Sequence, residues 1–173
     1  MEVETKNSPT TYRQLATLVT LVFVGMLASC KSTSNIYESD SRGISAVRQD
    51  IIKDARSLIG ATYEYAGKGP RKFDCSGLVD YVYGRSSIDV GGSAATLADG
   101  GQKISLRELR PGDLVFYKRD GRVFHVSIVS RTVGDQIWVV HSTTSRGVIE
   151  EDILASRYWS PLIHKAVSLS SYR

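Results

Sequence analysis

Three side chains in this sequence have the types and order that nucleophilic catalysis requires: Cys75, His125 and His141. Cys75 stands in KFDCSGLVDYVYG, residues 72–84, between an Asp and a Ser at what reads as a helix start. The first turn of a helix carries free N–H groups and the positive end of the macrodipole, and both favour a thiolate. The expectation is a thiol pKa below the ordinary value of about 8.5. His125 lies in VFHVSIV and shares a strand face with Val123, Ser127 and Val129. His141 lies in IWVVHST and shares one with Ile137, Val139 and Thr143. The midpoint of the two histidines is residue 133, inside the turn-like RTVGDQ. A hairpin centred there sets the rings opposite each other, with Cβ atoms about 5 Å apart. A one-residue slip would send one ring to the other face. Nucleophile, base and base-orienting group then form a triad for attack on an amide carbonyl, with backbone N–H groups near Cys75 to receive the oxyanion.

Each residue also has a plainer reading. A lone cysteine is often a small buried hydrophobe, and a single strand histidine is often structural. Cys, His and His also make three zinc ligands, but metal cysteines come in closely spaced pairs and this chain has no CxxC. His164, in PLIHKAV, reads as structural.

The elements that must position these residues follow from hydrophobic period. Residues 45–60 carry Val47, Ile51, Ala55, Leu58 and Ile59 near helical spacing, with Ser45 as cap and Gly60 as stop. A Gly- and Tyr-rich loop follows. DCSGLVDYVYG reads as a second helix, capped by Asp74, striped by Leu78, Val79, Val82 and Tyr83, and ended by Gly84. SAATLADGG holds a short third helix. From residue 113 the period becomes two: DLVFYKR, RVFHVSIVSR, DQIWVVHSTT, GVIEED and PLIHKAVSL read as strands. Turns fall at Pro111-Gly112, Asp120-Gly121, Gly134-Asp135 and Arg146-Gly147. Helices followed by consecutive strands predict an α+β fold, with N-terminal helices packed on an antiparallel sheet of about five strands.

With 173 residues, the chain has room for one domain. Hydrophobic residues are 42% and charged residues 23%, an ordinary globular composition. The net charge of +4 is scattered, with no Lys/Arg run above two, which argues against nucleic acid. Residues 15–29, LATLVTLVFVGMLAS, are apolar and uncharged, short for a membrane span and right for a signal segment. They end in LASC, which resembles the lipobox of bacterial lipoproteins, with lipid attached to Cys30 after cleavage. Glu2 and Glu4 beside Lys6 and Arg13 depart from the usual basic start. The expected organisation is a signal peptide over 1–29, a lipidated polar tether over 30–43 and a catalytic domain over 44–173. Lys31 in place of an acidic residue points to the periplasmic face of an outer membrane. Lipidation of Cys30 leaves Cys75 without a disulfide partner, and an unpaired cysteine in an exported protein asks for a chemical reason.

Several stretches together resemble one family. GATYEYAGKGPRKFDCSGLVDYVYG, LRPGDLVFYKR, FHVSIV and VVHST are similar to the NlpC-type cell-wall cysteine peptidases, and most to the small Spr-like lipoprotein murein endopeptidases. The resemblance implies a papain-like fold and hydrolysis of peptide bonds in peptidoglycan stems or cross-links. It implies Cys75 as nucleophile, His125 as base and His141 as the third polar residue, with no metal or organic cofactor. Tyr63 matches the family's tyrosine beside the nucleophile, and Asp74 and Ser76 match positions that line the substrate groove. Thr62-Tyr63 stands where the family often has Pro-Tyr, Ala66-Gly67 where it has two glycines, and Gly92 and Leu97 where it tends to have Arg and Gln. With no room for an added domain over the groove, longer stems or cross-links are the implied substrates. The implied partners are peptidoglycan stem peptides, a membrane through the lipid, and a restraining protease or adaptor, with the chain itself a monomer. Two other readings are a non-catalytic wall-binding lipoprotein and a different cysteine acyl hydrolase or transferase. Lipid-acting relatives of the superfold place histidine ahead of cysteine, opposite to the order here.

Overall fold

The computed structural model describes residues 34–168 and residue 170. The signal segment and Cys30 lie outside the described residues. The chain separates into two compact units, Met1–Gly43 and Ile44–Arg173, and the second holds the sheet, the core and the cavity.

Among the described residues three α-helices precede the sheet: α1 (Ser34–Ser57), α2 (Cys75–Arg85) and α3 (Ala94–Gly100). α1 begins at Ser34 rather than Ser45 and ends before Gly60. The serine-rich stretch with Gly43 reads as a breaker, yet one glycine inside a helix costs only about 1 kcal/mol. At the other end the last bonds tighten to a three-residue spacing, Leu58 N to Ala55 O and Ile59 N to Arg56 O. Gly60 then turns away at φ +93° and its N–H donates to Val148 O at 2.9 Å. α2 starts where its cap predicts: an Asp74 oxygen accepts from Gly77 N–H at 2.6 Å. It runs one residue past Gly84, to Arg85. α3 is capped in the same manner by Ser93, which accepts from Thr96 N–H.

Six strands form one sheet: β3 (Lys103–Ile104), β4 (Leu114–Arg119), β5 (Arg122–Val133), β6 (Gln136–Thr143), β7 (Gly147–Asp152) and β8 (Ile163–Val167). Their order is β3-β8-β4-β5-β6-β7, with every pairing antiparallel. The five strands expected from period-two patterning are β4–β8. The two-residue β3 is too short to leave such a pattern, as are the parallel partners β1 (Thr62–Tyr63) and β2 (Lys72–Phe73). One sheet face meets the helices through Val126, Ile128, Val140 and Val148 against Ile51, Leu78, Val79 and Val82. The other face packs Val115, Tyr117, Val129, Val139 and Trp159.

The hairpin register differs from the expected one in an instructive way. Val133 pairs with Gln136 across the two-residue turn at Gly134, and Thr132 with Ile137. Continued unbroken, that register would set His125 and His141 on opposite faces. The register shifts between Val129 and Arg131, so Val129 meets Val139 and Ile128 meets Val140. The bulge at Ser130 restores the parity. His125 and His141 therefore share a face, offset diagonally by two residues rather than directly opposed. A second shift, opposite Tyr117 and Lys118, bulges β5 at Phe124. Val123 consequently packs against the helix-side core and does not share the His125 face.

Candidate active site

The nucleophile's position is set by backbone. Strand β2 delivers Phe73 to a pocket in the core, and Ser142 Oγ of β6 donates to Phe73 O at 2.7 Å. Gly67 O accepts from Asp74 N–H at 2.9 Å and lies so close to Gly77 that an added Cβ would stand 1.9 Å from it. That contact is the physical reason for the glycine of DCSG. Asp74 and Ser76 bond to each other in the cap, Ser76 Oγ donating to the Asp74 carboxylate at 3.0 Å, and neither lines the cavity. Cys75, half-buried and free, opens into it.

Burial is the largest influence on Cys75 and pushes its thiol up from the ordinary value. The Asp74 charge adds to this. The N–H groups of Val126, Ser76 and Cys75 itself favour the thiolate, but do not outweigh burial. The depressed thiol pKa expected from the helix start is thus corrected: the apolar wall dominates the helix end. Val126 is the residue after His125, so β5 brings a donor and the histidine to the same edge of the cysteine.

Beyond the cavity wall the two histidines are bonded, His125 Nε2 to His141 Nδ1 at 3.0 Å. His141 is fully buried, and its Nε2 lies 2.9 Å from Glu151 Oε1. Arg146 and the Trp159 indole N–H donate to the same oxygen at 2.6 and 3.0 Å. Trp159 also stacks on His125, ring centroids 4.5 Å apart and planes 22° apart. Burial holds His125 well below its ordinary pKa, and the neighbouring His141 adds to it. Burial lowers His141 too, against the pull of Glu151. Burial works to raise the Glu151 carboxyl, but its bonds to His141 and Arg146 prevail and bring it down to about 2. At neutral pH the set therefore rests as neutral thiol, two neutral imidazoles and a carboxylate.

The cavity holds about 510 Å³ and is lined by Cys75 and His125 with Tyr63, Arg119, Arg146 and Tyr158 among others. Arg119 stacks over the Phe124 ring at 4.5 Å and donates to Tyr158 Oη. Burial, then the Cys75 and Asp74 charges, raise the Tyr63 hydroxyl pKa, so it remains a donor. Sequence reasoning missed Glu151, Trp159, Arg119 and Arg146. Glu151 was within reach, because the Thr143–Gly147 turn pairs His141 with Ile149 and leaves Glu151 two residues along on that face. Trp159 follows β7 outside any period and gave no signal. His164 is exposed on β8, and Leu97 is buried in α3. Among the described residues no group of three or more His, Cys, Asp or Glu is arranged to hold a metal ion.

A helical layer on a mainly antiparallel sheet, with a cysteine at a helix start beside a strand histidine, defines a papain-like α+β domain. A model of the NlpC/P60 family matches residues 60–168, and the chain belongs to that family. The Gamma-DL-glutamyl hydrolase of Bacillus subtilis (strain 168) is 31% identical over 144 residues, covering 83% of this chain and 34% of that protein. The probable endopeptidase p60 of Listeria grayi is 33% identical over 96 residues, 56% of this chain and 19% of that protein. The crystal structure of the NlpC/p60 domain of peptidoglycan hydrolase SagA matches with TM-score 0.59 and 31% identity, over 70% of this chain and 98% of that one. The chain thus spans about a third of one curated relative and a fifth of the other. The family is one of peptidases and hydrolases.

Proposed function

We propose that this chain is a cysteine peptidase that hydrolyses peptide bonds in peptidoglycan stems or cross-links, with Cys75 as nucleophile, His125 as base and His141 as the residue that orients the base. The observation that carries it is one cavity lined by Cys75 and His125, with His125 bonded at 3.0 Å to a buried His141. The nucleophile and base begin neutral, so the proton moves as the bond forms. His125 takes the thiol proton while sulfur attacks the carbonyl carbon. The oxyanion is met by the Cys75 and Ser76 N–H groups, which turn from the sulfur as it attacks, and by the Tyr63 hydroxyl. His125 then protonates the leaving amine, leaving a thioester. Water, deprotonated by the same ring, hydrolyses it and restores the thiol. Arg119 and Arg146 suit a substrate bearing free carboxylates, as acidic stem peptides do.

The proposal includes a lipid anchor on Cys30 that keeps the domain at the periplasmic face of an outer membrane. Radiolabelled palmitate should label the wild-type chain in a bacterial host, and Cys30→Ser should lose the label. The catalytic reading is tested by digesting purified peptidoglycan with the protein beside its Cys75→Ala variant and reading products by mass spectrometry. Loss of cross-linked dimers with gain of intact monomers places the cut in the cross-link. Dipeptide-bearing products place it at the γ-D-glutamyl bond. An unchanged wall with folded wild-type protein would turn the reading toward wall binding.

A further inference from the structure

We infer that Glu151 is a positioning residue: it holds His141 in one tautomer and through it fixes His125 with the proton on Nε2 and the lone pair on Nδ1. The inference rests on Cys75 and His125 being nucleophile and base. An ionised carboxylate only accepts, so the 2.9 Å contact with Glu151 requires the proton of neutral His141 to sit on Nε2. His141 Nδ1 is then an acceptor, and the 3.0 Å contact requires His125 Nε2 to be the donor. Nδ1 is left as the one basic nitrogen on the ring that lines the cavity with Cys75. Reversing the direction anywhere along the chain would place a proton on that nitrogen and leave no base.

The surroundings keep the direction fixed. Arg146 and Trp159 both donate to Glu151 Oε1, the oxygen that faces His141. Tyr117, from β4, also interacts electrostatically with Glu151, and burial holds it protonated. A group that stays ionised throughout the working pH range never offers a proton back. When His125 takes the thiol proton, the new positive charge lies two hydrogen bonds from this carboxylate. Arg146 also lines the cavity, so the chain leaves the cavity at His125 and returns to it at Arg146.

The experiment uses the full chain and three variants, Glu151→Gln, Glu151→Asp and Glu151→Ala. Nitrogen-15 spectra of the histidine rings, without substrate, report the tautomers directly. The wild type should show His125 and His141 each protonated on Nε2. Glu151→Gln offers an amide that also donates, and a mixture of tautomers should appear. In turnover of a peptidoglycan-derived peptide, Glu151→Gln should lower kcat about 10²-fold with KM within about threefold. Glu151→Asp should recover part of the loss. Should Glu151→Gln or Glu151→Ala fail to fold, Glu151→Asp carries both readouts. Unmoved ring spectra together with a kcat within about threefold of wild type would overturn the inference. A wild type without peptidase activity would defeat the catalytic reading instead, and the ring spectra would still decide the tautomer chain.

Discussion

Two networks in this domain use the same chemical parts, an arginine and a carboxylate with further donors, and put them to different ends. In one, Asp113 accepts from Arg48 at 2.8 Å with one oxygen and from Arg110 N–H at 2.8 Å with the other. Arg48 also reaches Pro111 O, and Tyr83 donates to Gly112 O, both at 2.5 Å. The network ties α1 and α2 to the start of β4, and it includes none of the side chains that line the cavity with Cys75. In the other, Glu151 gathers Arg146, Trp159 and His141, and the chain ends on His125 at the cavity wall. The first network joins helix to strand through Arg48, Asp113 and the Pro111 and Gly112 carbonyls, away from Cys75. The second ends on a ring with a nitrogen left for chemistry.

The contrast is sharpest in opposite responses to mutation. Cys75→Ala removes the attacking atom at the open end. Turnover should fall by at least about 10³-fold while the thermal midpoint moves little. Asp113→Ala should do the reverse. It leaves the nearly buried Arg48 without its carboxylate, with only Pro111 O to accept from it, at a cost of about 3 kcal/mol. Denaturant unfolding checks this, and activity per folded molecule should stay near wild type. An Asp113→Ala protein of wild-type stability would erase the distinction between the networks. One step smaller is His141→Ala, expected to lower kcat by about 10²-fold because it orients rather than reacts. His141→Asn, which keeps an acceptor, should fall between. A loss equal to that of Cys75→Ala, in a folded protein, would give His141 a direct part in the reaction.

How far each network was legible follows from the range of its contacts. The Asp74 cap, the apolar stripe of α2 and the five long strands are local patterns, and they stand in the structure where the residues place them. The helix start at Ser34 was hidden because weak formers and a glycine read as a tether. The histidine pair was legible only in parity. Residue 133 is near the true turn, but bulges at Ser130 and Phe124 decide the faces, and neither has a local residue pattern that marks it. They correct Val123 to the opposite face and leave His125 and His141 together. Glu151 needed the β6–β7 register as well, and Trp159 needed the whole tertiary fold. The thiol's proton affinity was misread for a similar reason. A helix start is visible in DCSG, whereas the burial that outweighs it comes from the apolar wall around the site.

That last correction yields the smallest effect and the finest test, because it concerns where protons rest rather than whether the reaction occurs. Burial raises Cys75 and lowers His125, so no thiolate–imidazolium pair stands in the resting protein. The rate of alkylation by iodoacetamide should therefore inflect above the ordinary cysteine value of about 8.5. His125 stays neutral below its ordinary value of about 6.5, so the acid limb of kcat/KM should lie on the low side of that value. Stability carries the same signs. A histidine depressed on folding contributes fully above about 6.5, and its contribution is lost as pH falls through the folded value. A thiol raised on folding contributes fully below about 8.5, and its contribution is lost as pH rises through the folded value. Thermal midpoints should accordingly be highest between these two values, and Cys75→Ala should flatten the alkaline decline while leaving the acid one in place. Glu151, at about 2, adds a further loss only as pH falls below the ordinary carboxylate range. An alkylation inflection below 8.5 would mean a standing ion pair, and the proton that His125 is argued to take during attack would already be on it.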